Sequence, residues 1–191
     1  MSSKKKLPYI LVPDTNVFKI FDWKLDHRSL MDLIVKIFDV YLAPCVEDEL
    51  RKSFPELHDL IRMWKDQRLV KPVLDYLGAL QHCRQFVRSR MQRREPLDRG
   101  ELDAAAVSLL LSRLEEKQVI FVTQDSRALE QCSEFFRNDF VGETKTCEQV
   151  LSYLHLHFQH EGTVRDLFRQ YGVFPQNQHK IFEDLVEEIK Q

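Results

Sequence analysis

Three short runs of continuous apolar residues limit how this chain can fold: Tyr9-Ile10-Leu11-Val12, Val40-Tyr41-Leu42-Ala43 and Val119-Ile120-Phe121-Val122, the last closed by Thr123. A strand with one wet face alternates apolar and polar residues. A run that is apolar at every position has to be covered on both faces, as strands of parallel sheets are. Between the first two runs, Leu30, Leu33, Ile34, Ile37 and Phe38 recur at helical spacing, which gives a β-α-β pattern. Short helices around 46–52 and 56–65 follow, then a long amphipathic stretch from Leu74 to about Arg94. Asp98 and Glu101 have capping-box spacing at the head of a helix that runs to about Lys117. After the third run come a helix from Ser126 to about Phe136, a candidate final strand at Phe140-Val141, and a further helix. Strands alternating with helices predict an α/β fold, a three-layer α/β/α sandwich with a central parallel sheet.

From about Thr146 the strand candidates stop. Cys147, Val150, Leu151, Leu154 and Phe158 form an apolar stripe, and 161–191 reads as a helical hairpin with Gly172 at a C-cap and Pro175 ahead of the last helix. The predicted organisation is one domain over 1–145 and a helical C-terminal extension over 146–191 packed on it. The extension carries more acids than bases, so it suits a homodimer contact or a protein partner better than RNA.

Composition excludes several kinds of chemistry. The five glycines are Gly78, Gly100, Gly142, Gly162 and Gly172, too far apart for a P-loop, a dinucleotide fingerprint or a nucleophile elbow. Cys45, Cys83, Cys132 and Cys147 form no C-x-x-C pair, and they read as reduced thiols in a cytoplasmic protein. His155 and His157 stand two apart, an offset that does not share a helical face, and with His160 they read as surface or core histidines rather than a metal site. The formal charge is −2, so nucleic acid would have to meet a local patch rather than a global basic field. The longest nearly apolar run, Ala104 to Leu111, is too short to span a bilayer, and the charged segment Met1 to Leu7 has no apolar signal region, so no membrane association is expected.

The acidic residues are placed less ordinarily. Ligands of open parallel sheets gather outside the carboxyl ends of the strands. Asp14 directly follows the first apolar run, Asp125 follows the third, and Glu49 lies one turn into the helix after the second. Asp103 shares a helical stripe with Ala106, Val107, Leu110 and Leu114, so a carboxylate takes a core-facing position and needs a cation or donors. Two carboxylates 4 Å apart repel by about 4 kcal/mol at an effective dielectric near 20, and converging ones call for a counter-charge. With only oxygen donors that points to a hard ion, Mg²⁺ or Mn²⁺, whose retained waters can become nucleophiles at phosphodiesters.

In order and context, Asp14-Thr15-Asn16, Glu49-Leu50, Gly100-Glu101-Leu102-Asp103-Ala104 and Thr123-Gln124-Asp125 resemble the acidic motifs of the PIN-domain nucleases. The resemblance covers residues 7–144. It implies metal-dependent phosphodiester cleavage by a hydrolase, commonly an endoribonuclease acting on single-stranded or structured RNA, with DNA also compatible. It further implies Asp14, Glu49, Asp103 and Asp125 as the catalytic, metal-holding acids, with Asn16 and Thr123 orienting them. Glu47 competes with Glu49 for the second position, and the Glu49-Leu50 pairing favours Glu49.

Plainer readings stand beside these. Asp14 or Asp125 alone reads as a turn residue or helix N-cap, and Glu101 as the capping partner of Asp98, although Glu101 is close enough to be a fifth acidic group. Arg84, Arg88, Arg90, Arg93 and Arg94 form the densest basic cluster, either a phosphate-contacting surface or a solvated helix face. The rival functions are an acidic-pocket phosphatase or phosphotransferase, and a non-catalytic interaction module on the same fold. Asp14 is not followed two residues later by a second Asp, which weighs against the phosphotransferase.

Overall fold

The computed structural model describes residues 7–22, 24–25, 28–73, 76–91 and 97–151. The first apolar run forms β1 (Tyr9–Pro13), followed by α1 (Thr15–Phe21), a small antiparallel ribbon of β2 (Lys24–Leu25) and β3 (Arg28–Ser29), and α2 (Leu30–Ile37). The second run forms β4 (Asp39–Leu42), which leads through α3 (Pro44–Ser53) and α4 (Pro55–Asp66) to β5 (Val70–Pro72). Then come α5 (Leu77–Met91), α6 (Arg99–Leu114), β6 (Gln118–Val122), α7 (Ser126–Asn138) and β7 (Glu143–Lys145).

Five of these strands make one sheet in the order β5-β4-β1-β6-β7, with every pairing parallel. Helices cover both faces, so the architecture is the three-layer α/β/α sandwich expected from the sequence. The chain builds outward from β1 through β4 to β5, returns, and builds the other way through β6 to β7. The reversal places a topological switch point between β1 and β6, where open parallel sheets form a crevice at the strands' C-terminal edge. The two strands pair along five positions, from Tyr9 with Gln118 to Pro13 with Val122. One more backbone bond, from Asp14 N–H to the Val122 carbonyl at 3.0 Å, carries the pairing past the strand end.

The interior explains why the apolar runs carry no polar positions. Ile10, Leu11 and Val12 of β1 and Val119 to Val122 of β6 are fully or almost fully buried, as are the helix residues Phe18, Phe21 and Phe136 and neighbouring Phe38. Helix α6 is buried nearly all round from Gly100 to Leu111. Its Ala104-Ala105-Ala106 segment keeps it slim where it packs on β1 and β6. Ser108 inside this apolar stretch donates its hydroxyl to the Ala104 carbonyl at 2.9 Å and so leaves no unmet polar group.

Several local expectations are corrected. The last strand is Glu143–Lys145, not Phe140-Val141. Phe140 instead ends α7 with a positive φ of 53° and is 87% exposed, while Val141 N–H bonds back to the Phe136 carbonyl in a Schellman-type closure. Helix α1 and strand β5 had no clear sequence signal: α1 is a single short element behind an acidic turn, and β5 is a three-residue edge strand ending in proline. Of the extension expected over 146–191, residues 147–151 begin a helix in which Cys147, Val150 and Leu151 are buried. Residues 152–191, with His155, His157 and His160, lie outside the described residues, as do Arg93 and Arg94.

Gly142 precedes β7 at φ 150°, and a Cβ there would overlap the Val119 carbonyl oxygen of β6. The Gly142→Ala variant should therefore lose about 3 kcal/mol of stability through strain and a displaced β7, read as a lower urea midpoint at unchanged slope.

Candidate functional site

Three helices begin at the sheet's C-terminal edge near the switch point, and each is opened by an acidic N-cap. Asp14 Oδ1 accepts from Val17 N–H at 3.0 Å to start α1, and Asp125 Oδ1 accepts from Ala128 N–H at 2.8 Å to start α7. Asp98 Oδ1 accepts from Glu101 N–H at 2.8 Å, and Glu101 Oε2 accepts in return from Asp98 N–H at 3.1 Å, a complete capping box on α6. The capping reading thus holds for Asp14, Asp125 and the pair Asp98 and Glu101. Capping consumes part of each carboxylate, and the helix N-termini supply partial positive charge where the acids gather.

Asp14 and Thr123 join the two sides of the switch point. The Thr123 hydroxyl donates to Asp14 Oδ2 and its oxygen accepts from Asp125 N–H at 3.1 Å, so one side chain orients both acids. This is the part the sequence resemblance gave Thr123. Asp14 is only 3% exposed, and burial raises its pKa although the Thr123 hydroxyl and the Val17 and Asn16 amides favour the charged form.

Glu49 reaches the same place from α3. Its Oε2 accepts from the Thr15 hydroxyl at 2.6 Å, and its carboxylate lies against Gly100, next to Glu101. Glu47, two residues earlier, is instead paired with Lys65 at 2.6 Å. Asp14, Thr15, Asn16, Glu49, Ser53, Phe54, Asp98, Gly100 and Glu101 line one cleft of about 300 Å³. An adjoining cleft shares Asn16 and is lined by Lys19, Ile20, Gln124 and Asp125. Asp125 stands on that neighbouring side, and Lys19 Nζ sits 4.6 Å above the Phe54 ring where the two clefts meet.

Glu101 belongs to this group more closely than its sequence reading as a supporting residue implied. It is 5% exposed, and burial first, then the charges of Asp98, Asp125 and Asp14, push its pKa up to about 7. Asp103, the more conspicuous acid in sequence, is engaged elsewhere. Its Oδ1 takes Arg84 Nε at 2.5 Å and its Oδ2 takes Cys45 N–H at 2.7 Å, and it lines neither cleft. The counter-charge demanded by a buried carboxylate is here a guanidinium and the N-terminus of α3.

The arginine cluster is likewise dispersed. Arg84 holds Asp103; Arg90 lies over Phe86 at 5.2 Å and pairs with Asp139 at 3.4 Å beside a different pocket between α5 and α7. Arg88 is exposed and lines none of these clefts. Lys19, which the sequence reading passed over, is the cation that lines the cleft walls.

Among the described residues, no group of three His, Cys, Asp or Glu side chains is arranged to grip a metal ion directly. The donor chemistry nevertheless fits a hard cation: Asp14, Glu49 and Glu101 offer carboxylate oxygens only, and burial first, with neighbouring acids adding to it, raises the pKa values of Asp14 and Glu101.

A carboxyl whose pKa is higher folded than unfolded keeps its proton longer in the native state, so stability is present at low pH and falls as pH rises from the unfolded value towards the folded one. The protein without divalent ions should thus lose stability between about pH 4.5 and 7, and Glu101→Gln should flatten that slope in a series of thermal melts. No protein-family model matches this chain, and no curated protein matches it either.

Proposed function

We propose that the protein is a metal-dependent nuclease of the PIN-domain kind, an endoribonuclease acting on RNA. The observation that carries this reading is the convergence of Asp14, Glu49 and Glu101 from α1, α3 and α6 on one cleft at the switch point of a parallel sheet. Asp14, Glu49 and Glu101 would hold Mg²⁺ or Mn²⁺, with Asp125 on the adjoining wall. When bound, such an ion neutralises the acids, activates water and stabilises the charge that develops on a phosphodiester. Thr123 and Thr15 hold the Asp14 and Glu49 carboxylates in place by donating hydroxyl hydrogens. Lys19 offers a cation to a backbone phosphate at the cleft mouth, and Asn16, shared by both clefts, offers an amide beside it.

The test is cleavage of a mixed single-stranded RNA with Mn²⁺, with Mg²⁺ and with EDTA. Metal-dependent cleavage is expected, and Asp14→Asn and Glu101→Gln should each lower it by about 100-fold or more while the fold persists. Asp103→Asn discriminates the roles: it should lower the melting temperature by breaking the Arg84 pair, yet leave the Mn²⁺ requirement of cleavage where it was. A protein that binds Mn²⁺ but cleaves neither RNA nor DNA would retire the nuclease reading in favour of an interaction module.

Lys19→Ala should raise KM for RNA about 3- to 10-fold with little change in kcat, and should lessen the salt dependence of binding by about 0.7 in the log–log slope, as expected for one lost phosphate contact. An equal fall in kcat and kcat/KM would place Lys19 in the chemistry rather than in binding.

A further inference from the structure

Gly100 is the second residue of α6, buried, and its φ lies outside the range that excludes other residues. Helical propensity therefore argues against glycine here, since alanine would be favoured. The reason for glycine lies across the cleft: a Cβ on residue 100 would stand 2.9 Å from both Glu49 Oε1 and Oε2 and 3.2 Å from its carboxyl carbon. The Glu49 carboxylate thus rests flat against bare backbone. It also accepts from the Thr15 hydroxyl at 2.6 Å. Thr15 follows Asp14 and Gly100 precedes Glu101, so the seat that fixes Glu49 is made from the residues adjoining the other two acids.

We propose that Gly100 is a positioning residue whose missing side chain seats the Glu49 carboxylate on the cleft that Asp14 and Glu101 also line, and so sets the placement on which cation binding depends. The inference rests on the metal-dependent reading for its consequence but not for its geometry. A methyl group at residue 100 meets the charged end of Glu49, which can swing away; α6 survives, the hydrogen bond from Thr15 is lost, and Glu49 leaves its place on the cleft that Asp14 and Glu101 also line.

Two measurements on the full chain separate the seat from its consequence. The first is a thermal double-mutant cycle of Gly100→Ala with Thr15→Val. In the unsubstituted protein, Thr15→Val should lower the melting temperature by about 2–4 °C, the loss of one partly buried hydrogen bond, and in the Gly100→Ala background by less than about 1 °C. Additive effects would overturn the seat. The second is the rise in melting temperature on adding Mn²⁺. Gly100→Ala should itself melt within about 2 °C of the unsubstituted protein, the lost Thr15 bond being offset by the better helix propensity of alanine, yet bind Mn²⁺ at least about tenfold more weakly, and Glu49→Asp added to it should recover part of that loss because the shorter acid clears the methyl. A Gly100→Ala protein that melts several degrees lower would make the glycine a packing residue and overturn the proposal, as would undiminished Mn²⁺ binding. If the unsubstituted protein shows no Mn²⁺ response while the cycle is non-additive, the seat stands and the metal-dependent reading is what fails.

Discussion

Parallel pairing of β1 with β6 is the constraint from which the rest follows. A parallel pair sends both chains out of the sheet at the same edge, and strand order makes this pair the point where the connections diverge. Asp14 N–H still bonds to Val122 as the strands end, and the Thr123 hydroxyl then meets the Asp14 carboxylate. Two acids far apart in sequence are thereby held in relation by backbone geometry before any side chain has a choice. The cost is that both strands must be apolar throughout, because helices lie on each face. The fully buried Leu11, Val12, Ile120 and Phe121 meet that demand.

The gathered acids are tolerable because each also performs local work. At a helix N-terminus a carboxylate satisfies amides that would otherwise lack partners and sits in a favourable part of the helix dipole. Asp14, Asp98 and Asp125 all do this, and Glu101 completes the box with Asp98. Residual repulsion appears where capping runs out. Glu101 is buried among three acids, with one oxygen committed to the Asp98 amide, and its proton affinity rises accordingly. The same unspent charge makes the cleft a fit for a hard cation. On the proposed reading, a hard cation held there would relieve that repulsion, so stability without the ion and affinity for it would be opposed.

Much of this was legible in the sequence because the informative segments are those with least freedom. Apolar runs such as Leu11-Val12 and Ile120-Phe121 read as buried strands, and Asp98 with Glu101 caps one helix, so the parallel sandwich and the start of α6 followed from pattern, whereas α6 ends at Leu114 rather than near Lys117. The edge was less legible. Glu143–Lys145 is only half-buried, so its composition is polar, while Phe140-Val141 looks like a strand but closes a helix. Lys19 was missed for a related reason: α1 is too short to show a periodic stripe, so nothing in the sequence put its side chains beside Asp14.

The choice between Glu101 and Asp103 shows where one-dimensional reasoning ends. Two residues apart on a helix are about 200° apart around its axis, so the two acids cannot face one cleft. The stripe with Ala106, Val107 and Leu110 correctly made Asp103 inward-facing and correctly required a counter-charge. It could not say that the counter-charge would be Arg84, arriving from α5, with the Cys45 amide of α3 on the other oxygen. Once those partners hold Asp103, helix geometry turns Glu101 to the opposite side, towards Asp14 and Asp98. Asp103 then fastens α6 to α3 and α5, and α3 is the helix that delivers Glu49. The acid that the pattern made most conspicuous thus holds the frame, and the one that passed for a simple cap lies among the charges.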